Sequence, residues 1–414
     1  MSEKPTNIKI NGERLMASLF EMAEIGATAK GGCNRQTLTD LDKQGRDLFK
    51  RWVEEAGCTV TVDEMGNMFA RRPGKHDDLP PVVMGSHLDT QPTGGKYDGV
   101  AGVLTGLEVV RTLNDHDYVT DHPLVVVNWT NEEGTRFAPA MLSSGVYGGA
   151  FSLDFAYNLT DKEGKRFGDE LERIGYKGDL PCTPQDWKCH VELHIEQGPI
   201  LEAEDKQIGV VIGGQGMRWF DVTITGWESH AGSTPMPRRK DALVAASKVV
   251  AGLDELARNN APYAVATVGM LDVFPSSRNI IPGQVSFSVD LRHPEAATLE
   301  MMGETLRTLV SDACGRDGLD AEVNEIWYFP PVQFDETCIN AVRNAAEAAG
   351  YGHRDMVSGA GHDSCYTARV TPTSMIFIPC KDGLSHNELE YSKPEDIEAG
   401  CNVLLRAALD LAQA

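Results

Sequence analysis

The chain has 414 residues, of which 41% are hydrophobic and 24% charged, and this composition is typical of a folded globular protein rather than a disordered or fibrous one. One hydrophobic core rarely serves so many residues, so we expect two or three domains. The 61 acidic residues outnumber the 38 basic ones, for a formal net charge of −23, which disfavours general nucleic-acid binding and a basic membrane anchor.

The chain also lacks the sequence signs of membrane insertion and of a disulfide framework. No apolar stretch reaches the length of a membrane-spanning helix, and no apolar core of a signal peptide follows Met1–Pro5. The nine cysteines are scattered without CxxC spacing, which predicts reduced and mostly structural thiols, although counts alone leave a single nucleophilic cysteine open. We therefore expect a cytoplasmic protein.

The first third of the chain predicts alternating helices and strands. Helical spacing and short apolar runs predict two helices, two strands, a helix and a strand, in this order: Glu13–Glu24, Asp40–Glu55, Cys58–Val62, Pro81–Gly85, Gly99–Leu113 and Leu124–Trp129. The runs Pro81–Gly85 and Leu124–Trp129 hardly alternate, as in strands buried on both faces of a sheet. With the helix between them they indicate a βαβ unit and a largely parallel sheet.

The middle of the chain predicts a different architecture. Three alternating strands, each typical of a sheet with one solvated face, and two helices are predicted here: Trp219–Thr225, Asp241–Arg258, Val265–Leu271, Val285–Leu291 and Glu295–Ala313. A helix, a strand and a helix follow at Asp335–Ala349, Thr373–Ile378 and Pro394–Ala412. We therefore predict an α/β domain of residues 1–213 and 329–414, interrupted by a smaller α+β domain of residues 214–328.

Several chemically distinctive residues follow predicted strands, where α/β proteins place their sites. His87 and Asp89 come after Pro81–Gly85 and would point the same way from an extended segment. Asp89 could accept a hydrogen bond from one ring nitrogen of His87 while the other binds a metal, or both could be solvated at a strand end. Asp98 stands at the start of the next predicted helix, which it could cap, or it could bridge two cations.

Two adjacent glutamates, Glu132 and Glu133, follow Leu124–Trp129. They cannot share one orientation, so one could bind a metal while its neighbour takes protons from water, and a solvated acidic turn is the alternative. Alternation predicts a strand with Glu192, His194 and Glu196 on one face, and His386 follows the predicted strand Thr373–Ile378. A lone histidine is more often structural than a ligand.

The joint pattern is more specific than its parts. Three histidines, an aspartate and a glutamate suit two divalent ions that share a carboxylate. Imidazole and carboxylate ligands favour zinc, and also suit manganese, cobalt or nickel. Two such ions, about 3.5–4 Å apart, are a standard means of activating water against an amide.

Five motifs together resemble the dinuclear amidohydrolases that remove carbamoyl or ureido groups: His87-Leu88-Asp89-Thr90, Tyr97-Asp98-Gly99, Asn131-Glu132-Glu133-Gly134, His194–Pro199 and Ser385-His386-Asn387-Glu388. These enzymes comprise N-carbamoyl-amino-acid hydrolases, β-ureidopropionases and allantoate amidohydrolases, and are cousins of the aminoacylases and dinuclear-zinc exopeptidases. The resemblance spans essentially the whole chain. Glu196–Pro199 and Ser229–Met236 favour the carbamoylase branch, and Asn34–Thr39 with Ser86–Tyr97 is most similar to bacterial β-ureidopropionases.

The resemblance implies an exopeptidase-like catalytic domain that binds two divalent ions. His87 and His194 would each bind one ion, Glu133 and His386 would complete the pair of sites, and Asp98 would bridge the ions. Asp89 would orient His87. Glu132 would be the general base.

The resemblance also implies that the inserted domain carries substrate-binding residues, closes as a lid and forms a homodimer. His230 would stabilise the oxyanion and reach the partner's site, while Asn279 and Arg292 would bind the substrate. Gln197 and Gly361 would line the same pocket. From the residues alone, His230 could be a surface histidine, Asn279 could hold a turn, and Arg292 could be an exposed strand end.

The implied reaction is hydrolysis of N-carbamoyl amino acids to the amino acid, carbon dioxide and ammonia. Substrates would be N-carbamoyl-β-alanine, a compound of pyrimidine degradation, or N-carbamoyl-L-amino acids. Allantoate or an acyl-amino acid is the alternative substrate for the same site. A metal-dependent binding or scaffold protein is the alternative class, and Glu132 argues against it because a pure metal binder needs no base beside Glu133.

Overall fold

The structure, a computed structural model, describes residues 8–413. Met1–Pro5, on which the expectation about a signal peptide rests, lie outside the described residues. The chain divides into a first unit of residues 8–213 and 333–413 and an inserted unit, Gly214–Val332. No helix in the described range is long and apolar enough to cross a membrane.

Helices account for much of both units. In chain order they are α1 (Gly12–Glu24), α2 (Asp40–Glu55), α3 (Val100–Asp115), α4 (Leu142–Tyr147), α5 (Leu153–Asn158), α6 (Phe167–Ile174), α7 (Ile200–Ala203), α8 (Ala242–Asn259), α9 (Ala296–Gly315), α10 (Glu336–Ala349), α11 (Asp363–Thr367) and α12 (Pro394–Leu411). The long helices lie within a residue or two of the predicted ones, because amphipathic spacing marks them clearly.

The strands are, in chain order, β1 (Thr59–Val62), β2 (Met68–Arg72), β3 (Val82–His87), β4 (Leu124–Trp129), β5 (Cys189–Ile195), β6 (Ile208–Gly214), β7 (Gly216–Thr225), β8 (Ser229–His230), β9 (Val265–Thr267), β10 (Leu271–Phe274), β11 (Ile280–Ile281), β12 (Gln284–His293), β13 (Asp320–Phe329), β14 (Val332–Gln333), β15 (His353–Ser358) and β16 (Thr373–Ile378). The predicted strand Val265–Leu271 is wrong as one element, because residues 268–270 separate β9 from β10.

The first unit is built on a sheet in the order β1-β2-β4-β3-β5-β16-β6-β14, with β15 paired to β6. The central strands β4, β3, β5 and β16 run parallel, whereas the flanking pairs β1/β2, β2/β4 and β16/β6 are antiparallel. Every residue of the four central strands is buried. The prediction of a mostly parallel, helix-covered sheet is confirmed.

The inserted unit has a five-stranded sheet in the order β10-β12-β7-β13, with β9 paired to β12. Its β7 and β12 pairs are antiparallel, and inward residues of these strands pack against α8 and α9. β12 alternates strictly between buried and less buried residues, as the sequence predicted for a sheet with one solvated face. β13 was not predicted, because Phe329 is its only buried residue and no alternation marks it.

Candidate metal centre and active site

The candidate ligands of the first unit gather at one edge of its sheet. His87 ends β3, His194 lies near the end of β5, and Glu132 and Glu133 lie three and four positions after the end of β4. The carboxyl ends of parallel strands meet at the same edge, so residues far apart in sequence become neighbours there. Loops after β3 and β16 bring Asp98 and His386 to the same place.

Asp98 lies at the centre of this group. Its Oδ1 is 3.1 Å from Nε2 of His194 and 3.6 Å from Nε2 of His87, while its Oδ2 is 3.4 Å from Nε2 of His386. Glu133 Oε2 lies 3.5 Å from the same nitrogen of His386. Two ligand groups result, His87–Asp98–His194 and Asp98–Glu133–His386, and within each group the ligand atoms lie within 4.8 Å of one another.

The donor atoms of these groups fit divalent cations. Nε2 of His87 is buried and has no hydrogen-bond partner, and its nearest carboxylate oxygens, on Asp98 and Glu132, are 3.6 and 3.5 Å away. Burial lowers the pKa of His87 to about 4, so the ring is neutral and its lone pair is available. A bound cation would accept the lone pair of His87 Nε2 and would also offset the negative charge of the neighbouring carboxylates.

Asp89 supports the site in a different way from the sequence expectation. The ring nitrogen Nδ1 of His87 is 2.9 Å from the backbone carbonyl of Asp89 and 3.8 Å from its carboxylate. The carboxylate instead accepts the backbone amides of Glu132 and Glu133, each at 3.3 Å. The expected carboxylate–imidazole bond is therefore wrong, and Asp89 holds His87 through its main chain and the two glutamates through its side chain.

The two glutamates are in different surroundings. Gln91 donates to both oxygens of Glu133, whereas Glu132 Oε2 lies 3.5 Å from Nε2 of His87. Burial, and then the charges of Asp363, Glu133 and Asp98, raise the pKa of Glu132 well above its usual range. A carboxylate in such a setting readily holds a proton, as a general base must do during turnover.

The interpretation of Asp98 as a helix cap is wrong. The N-cap of α3 is Gly99, and the Asp98 carboxylate makes no capping bond. Gly99 has φ of +66°, and a Cβ there would lie 2.3 Å from the imidazole of His87. Only glycine lets the backbone pass so close to the ring while Asp98 turns toward the histidines.

A second buried layer lies behind His194. Glu192 accepts the hydroxyls of Ser86 and Ser364, each at 2.6 Å, and the His362 ring lies 4.4 Å from the His194 ring. Glu192, His194 and His362 are close enough to hold an ion. The oxygens of Glu192 already accept protein donors, so we regard this layer as support for His194. The sequence showed Glu192 as a neighbour of His194 but gave no signal for His362.

Glu196, placed by the sequence on the same strand face as His194, lies beyond β5. Its two oxygens accept the amides of Ile200 and Leu201, each at 2.8 Å, at the start of α7. Glu196 thus fixes the turn that carries Gln197.

Gln197 and Gly361, both in the first unit, contact different residues. The side-chain amide of Gln197 donates to Asp98 Oδ2 at 2.9 Å and to Ser385 Oγ at 3.1 Å. A Cβ on Gly361 would meet the thioether of Met141, whose own amide donates to the carbonyl of Glu132 at 2.6 Å. Met141 had no sequence signal.

Four non-glycine residues of these loops have left-handed backbone conformations: Asn131, Met141, Gln197 and His386, with φ of +60°, +52°, +57° and +53°. Such conformations are strained for residues with a Cβ and persist where surrounding contacts enforce them. All four lie in the segments that carry the candidate site.

Within the inserted unit, His230 and Asn279 are neighbours because β8 pairs with β11. His230 Nδ1 accepts the amides of Gly232 and Ser233, at 3.0 and 3.2 Å. Because Nδ1 accepts, Nε2 is the ring nitrogen that carries a proton and can donate. Arg292 lies on β12, where its Nη2 donates to Asp290 at 2.8 Å.

Comparison with known proteins relates the whole chain to one family. A family model described as peptidase family M20/M25/M40 matches residues 83–410. An N-carbamoyl-L-amino-acid amidohydrolase of Rhizobium meliloti is 51% identical over 100% of this chain and 99% of its own length. An allantoate amidohydrolase of Bacillus subtilis is 34% identical over 92% of this chain and 93% of its own. The crystal structure of a hydantoinase/carbamoylase-family amidase from Burkholderia multivorans has a TM-score of 0.96 and 58% identity, covering 98% of this chain and 99% of that one.

Proposed function

The chain belongs to peptidase family M20/M25/M40, and we propose that it hydrolyses N-carbamoyl amino acids to the amino acid, carbon dioxide and ammonia. The observation that carries this proposal is the full-length, 51% identity to an N-carbamoyl-L-amino-acid amidohydrolase. The geometry agrees with it, because the site places a buried base beside two groups of metal ligands. The substrate would be a small molecule with a ureido group and a carboxylate.

Family membership and the clustered ligand groups indicate that the chain uses a divalent metal. In the proposed site, His87, Asp98 and His194 would hold one ion, and Asp98, Glu133 and His386 would hold a second. Zinc is the ion that this donor set favours, and manganese, cobalt or nickel also suit it. When bound, such ions lower the pKa of water and polarise a carbonyl oxygen.

Glu132 serves as the general base in the proposed reaction. Its carboxylate takes a proton from water as the water oxygen bonds to the ureido carbon. The same proton then passes to the leaving nitrogen as the C–N bond breaks, so the base is regenerated. The carbamate that remains loses carbon dioxide without help from the protein. Asp89 keeps Glu132 in place through its backbone amide, 3.3 Å away.

The remaining candidate residues bind the substrate in this proposal. His230 donates from Nε2 to the carbonyl oxygen as negative charge develops there. Arg292 offers a guanidinium to the substrate carboxylate, and Asn279 donates to a carboxylate or carbonyl. Gln197 and Gly361 contribute contacts from the first unit.

A substrate panel tests the proposal. Metal-free protein reloaded with one defined ion would be assayed with N-carbamoyl-β-alanine, several N-carbamoyl-L-amino acids, allantoate and an N-acetyl-amino acid. We expect the highest kcat/KM on a carbamoyl compound. Preference for allantoate would support the activity named for the Bacillus subtilis relative, and preference for the acetyl compound would replace ureido chemistry by acyl chemistry.

We further propose that the chain forms a homodimer through the inserted unit, with His230 acting in the partner's site. Exposed apolar residues on this unit, including Phe274, Ile326 and Trp327, offer a surface for such contact. If the site is shared, mixing His230→Ala protein with His87→Ala protein should restore partial activity after subunit exchange. Exchange without rescue, or a fully active monomer, would contradict the shared site.

A further inference from the structure

Glu390 is a buried carboxylate beside the candidate metal centre that the proposed reaction does not use. It is 5% exposed and lies four positions after His386 in the loop that follows β16. Its Oε1 accepts the backbone amides of Tyr97 and Asp98, both at 3.1 Å. Its Oε2 accepts the hydroxyl of Ser385 at 3.0 Å. Every one of these bonds reaches a segment that carries Asp98 or His386.

Ser385 connects Glu390 to the centre itself. Its hydroxyl oxygen is 3.0 Å from Glu390 Oε2 and 3.1 Å from Asp98 Oδ2, so one hydroxyl lies between the two carboxylates. Gln197 also donates to this hydroxyl at 3.1 Å. Glu390 thus contacts the Asp98 side chain indirectly, through the Ser385 hydroxyl, and binds the Asp98 backbone amide directly.

The surrounding backbone is shaped to admit the Glu390 carboxylate. A Cβ on Gly95 would lie 2.0 Å from Glu390 Oε1, so any other residue at this position would displace it. The loop before Asp98 therefore has no side chain at the point where the carboxylate reaches the two amides. Two segments that are distant in the sequence therefore fit closely together at this point.

We propose that Glu390 is a positioning residue, which fixes the Tyr97–Asp98 segment against the loop of Ser385 and His386 so that Asp98 faces both ligand groups. It binds neither ion, because protein donors occupy both of its oxygens. The inference rests on the proposed metal centre. Residues that orient ligands in this way typically change metal affinity by roughly 10–100-fold when removed.

The test is titration of metal-free protein with Zn²⁺ in the presence of a competing chelator, with circular dichroism to verify the fold. We expect Glu390→Ala to bind Zn²⁺ roughly 10–100-fold more weakly than wild type. Glu390→Gln should restore most of the affinity, because its amide can accept from the Tyr97 and Asp98 amides and donate to Ser385. A residue that acted as a ligand or through its charge would not be rescued by glutamine.

Glu388→Ala is the matched control. Glu388 lies on the same loop, but its carboxylate pairs with Thr28 Oγ1 at 2.6 Å and Lys30 Nζ at 3.5 Å, away from Asp98. We expect this variant to bind Zn²⁺ as wild type does. Gly95→Ala gives a second route, since it displaces the Glu390 carboxylate without removing it, and it decides the question if Glu390→Ala does not fold.

Wild-type affinity in Glu390→Ala, or in Gly95→Ala where the first variant is unfolded, would overturn this inference. An equal loss of Zn²⁺ affinity in Glu390→Ala and Glu390→Gln would overturn it as well, because the hydrogen bonds that glutamine can keep would then not account for the effect. A wild-type chain that binds no Zn²⁺ would overturn the proposed metal centre and this inference together. Failure of the metal centre appears in the wild-type protein, whereas failure of the Glu390 inference appears only in the variants, so the two failures are distinguishable.

Discussion

The two units hold their candidate residues by different means. In the first unit, side chains from distant segments bond to one another: Asp98 contacts His87, His194, Gln197 and Ser385. In the inserted unit, His230 accepts from Gly232 and Arg292 donates to Asp290, and each of these partners is two positions away in the sequence. A centre fixed by many segments suits ions that demand defined geometry, whereas locally held donors suit a flexible organic substrate.

The largest effect should follow loss of a buried ligand in the first unit. Replacing His87, whose side chain is 1% exposed, by Ala removes a donor from the first ligand group. We expect turnover to be abolished and metal content to fall, by more than the roughly 10–100-fold change that loss of a ligand-orienting residue causes. Elemental analysis with an activity assay checks both. Full activity in this variant would remove His87 from the centre.

Glu132→Gln should separate chemistry from metal binding within the same unit. The amide keeps the shape of the side chain but cannot take a proton, so we expect the rate to fall by roughly 10²–10⁴-fold or more. Metal content should remain close to wild type, while Glu133→Gln should lose metal. If the two variants behave the other way round, the roles of Glu132 and Glu133 are exchanged.

Arg292→Ala should reveal the inserted unit's contribution. A charge-assisted hydrogen bond is worth about 1.5–3 kcal/mol, so KM for a carboxylate-bearing substrate should rise roughly 10–100-fold. Metal content should not change, because Arg292 lies outside the first unit. Arg258→Ala on α8, where the arginine pairs only locally with Asp254, is the control. Steady-state kinetics and elemental analysis measure both quantities. Loss of metal with an unchanged KM would contradict the prediction.

The smallest effect concerns pH and the first unit. Burial alone would lower the pKa of His194, but its hydrogen bond to Asp98 and the charges of Asp98 and Glu192 raise that pKa to about 9. The metal-free ring therefore holds a proton at neutral pH, and a cation must displace it. Zn²⁺ affinity should rise by up to about tenfold per pH unit between about pH 6 and 8. Chelator-buffered titrations that show no pH dependence would contradict a protonated His194.

The sequence predicted the parts of the fold and site that depend on local pattern. Buried apolar runs identified β3 and β4, and the polar residues directly after them are the ones that the structure gathers around Asp98. Contacts between distant segments could not be read in this way. The carboxylate of Asp89 bonds to the amides of Glu132 and Glu133, and Glu390 bonds to Tyr97 and Asp98, only because the sheet brings their loops together.

The missed strand β13 has a related cause. β13 carries almost no burial alternation, since nearly all its residues are exposed, so a pattern that depends on one buried face could not mark it. β12 alternates regularly and was predicted nearly to its ends. Periodicity thus reports how a strand is covered rather than whether it pairs.

The left-handed residues around the candidate metal centre lower the stability of the fold at positions where their side chains serve the proposed site. Asn131, Met141, Gln197 and His386 each keep a backbone conformation that costs an L-residue about 1–2 kcal/mol. Glycine at Met141 would relieve that strain and make the chain harder to unfold, but it would remove the thioether beside Gly361. Glycine at these positions would therefore trade the side chains of the proposed site for stability, which is the usual conflict between stability and activity.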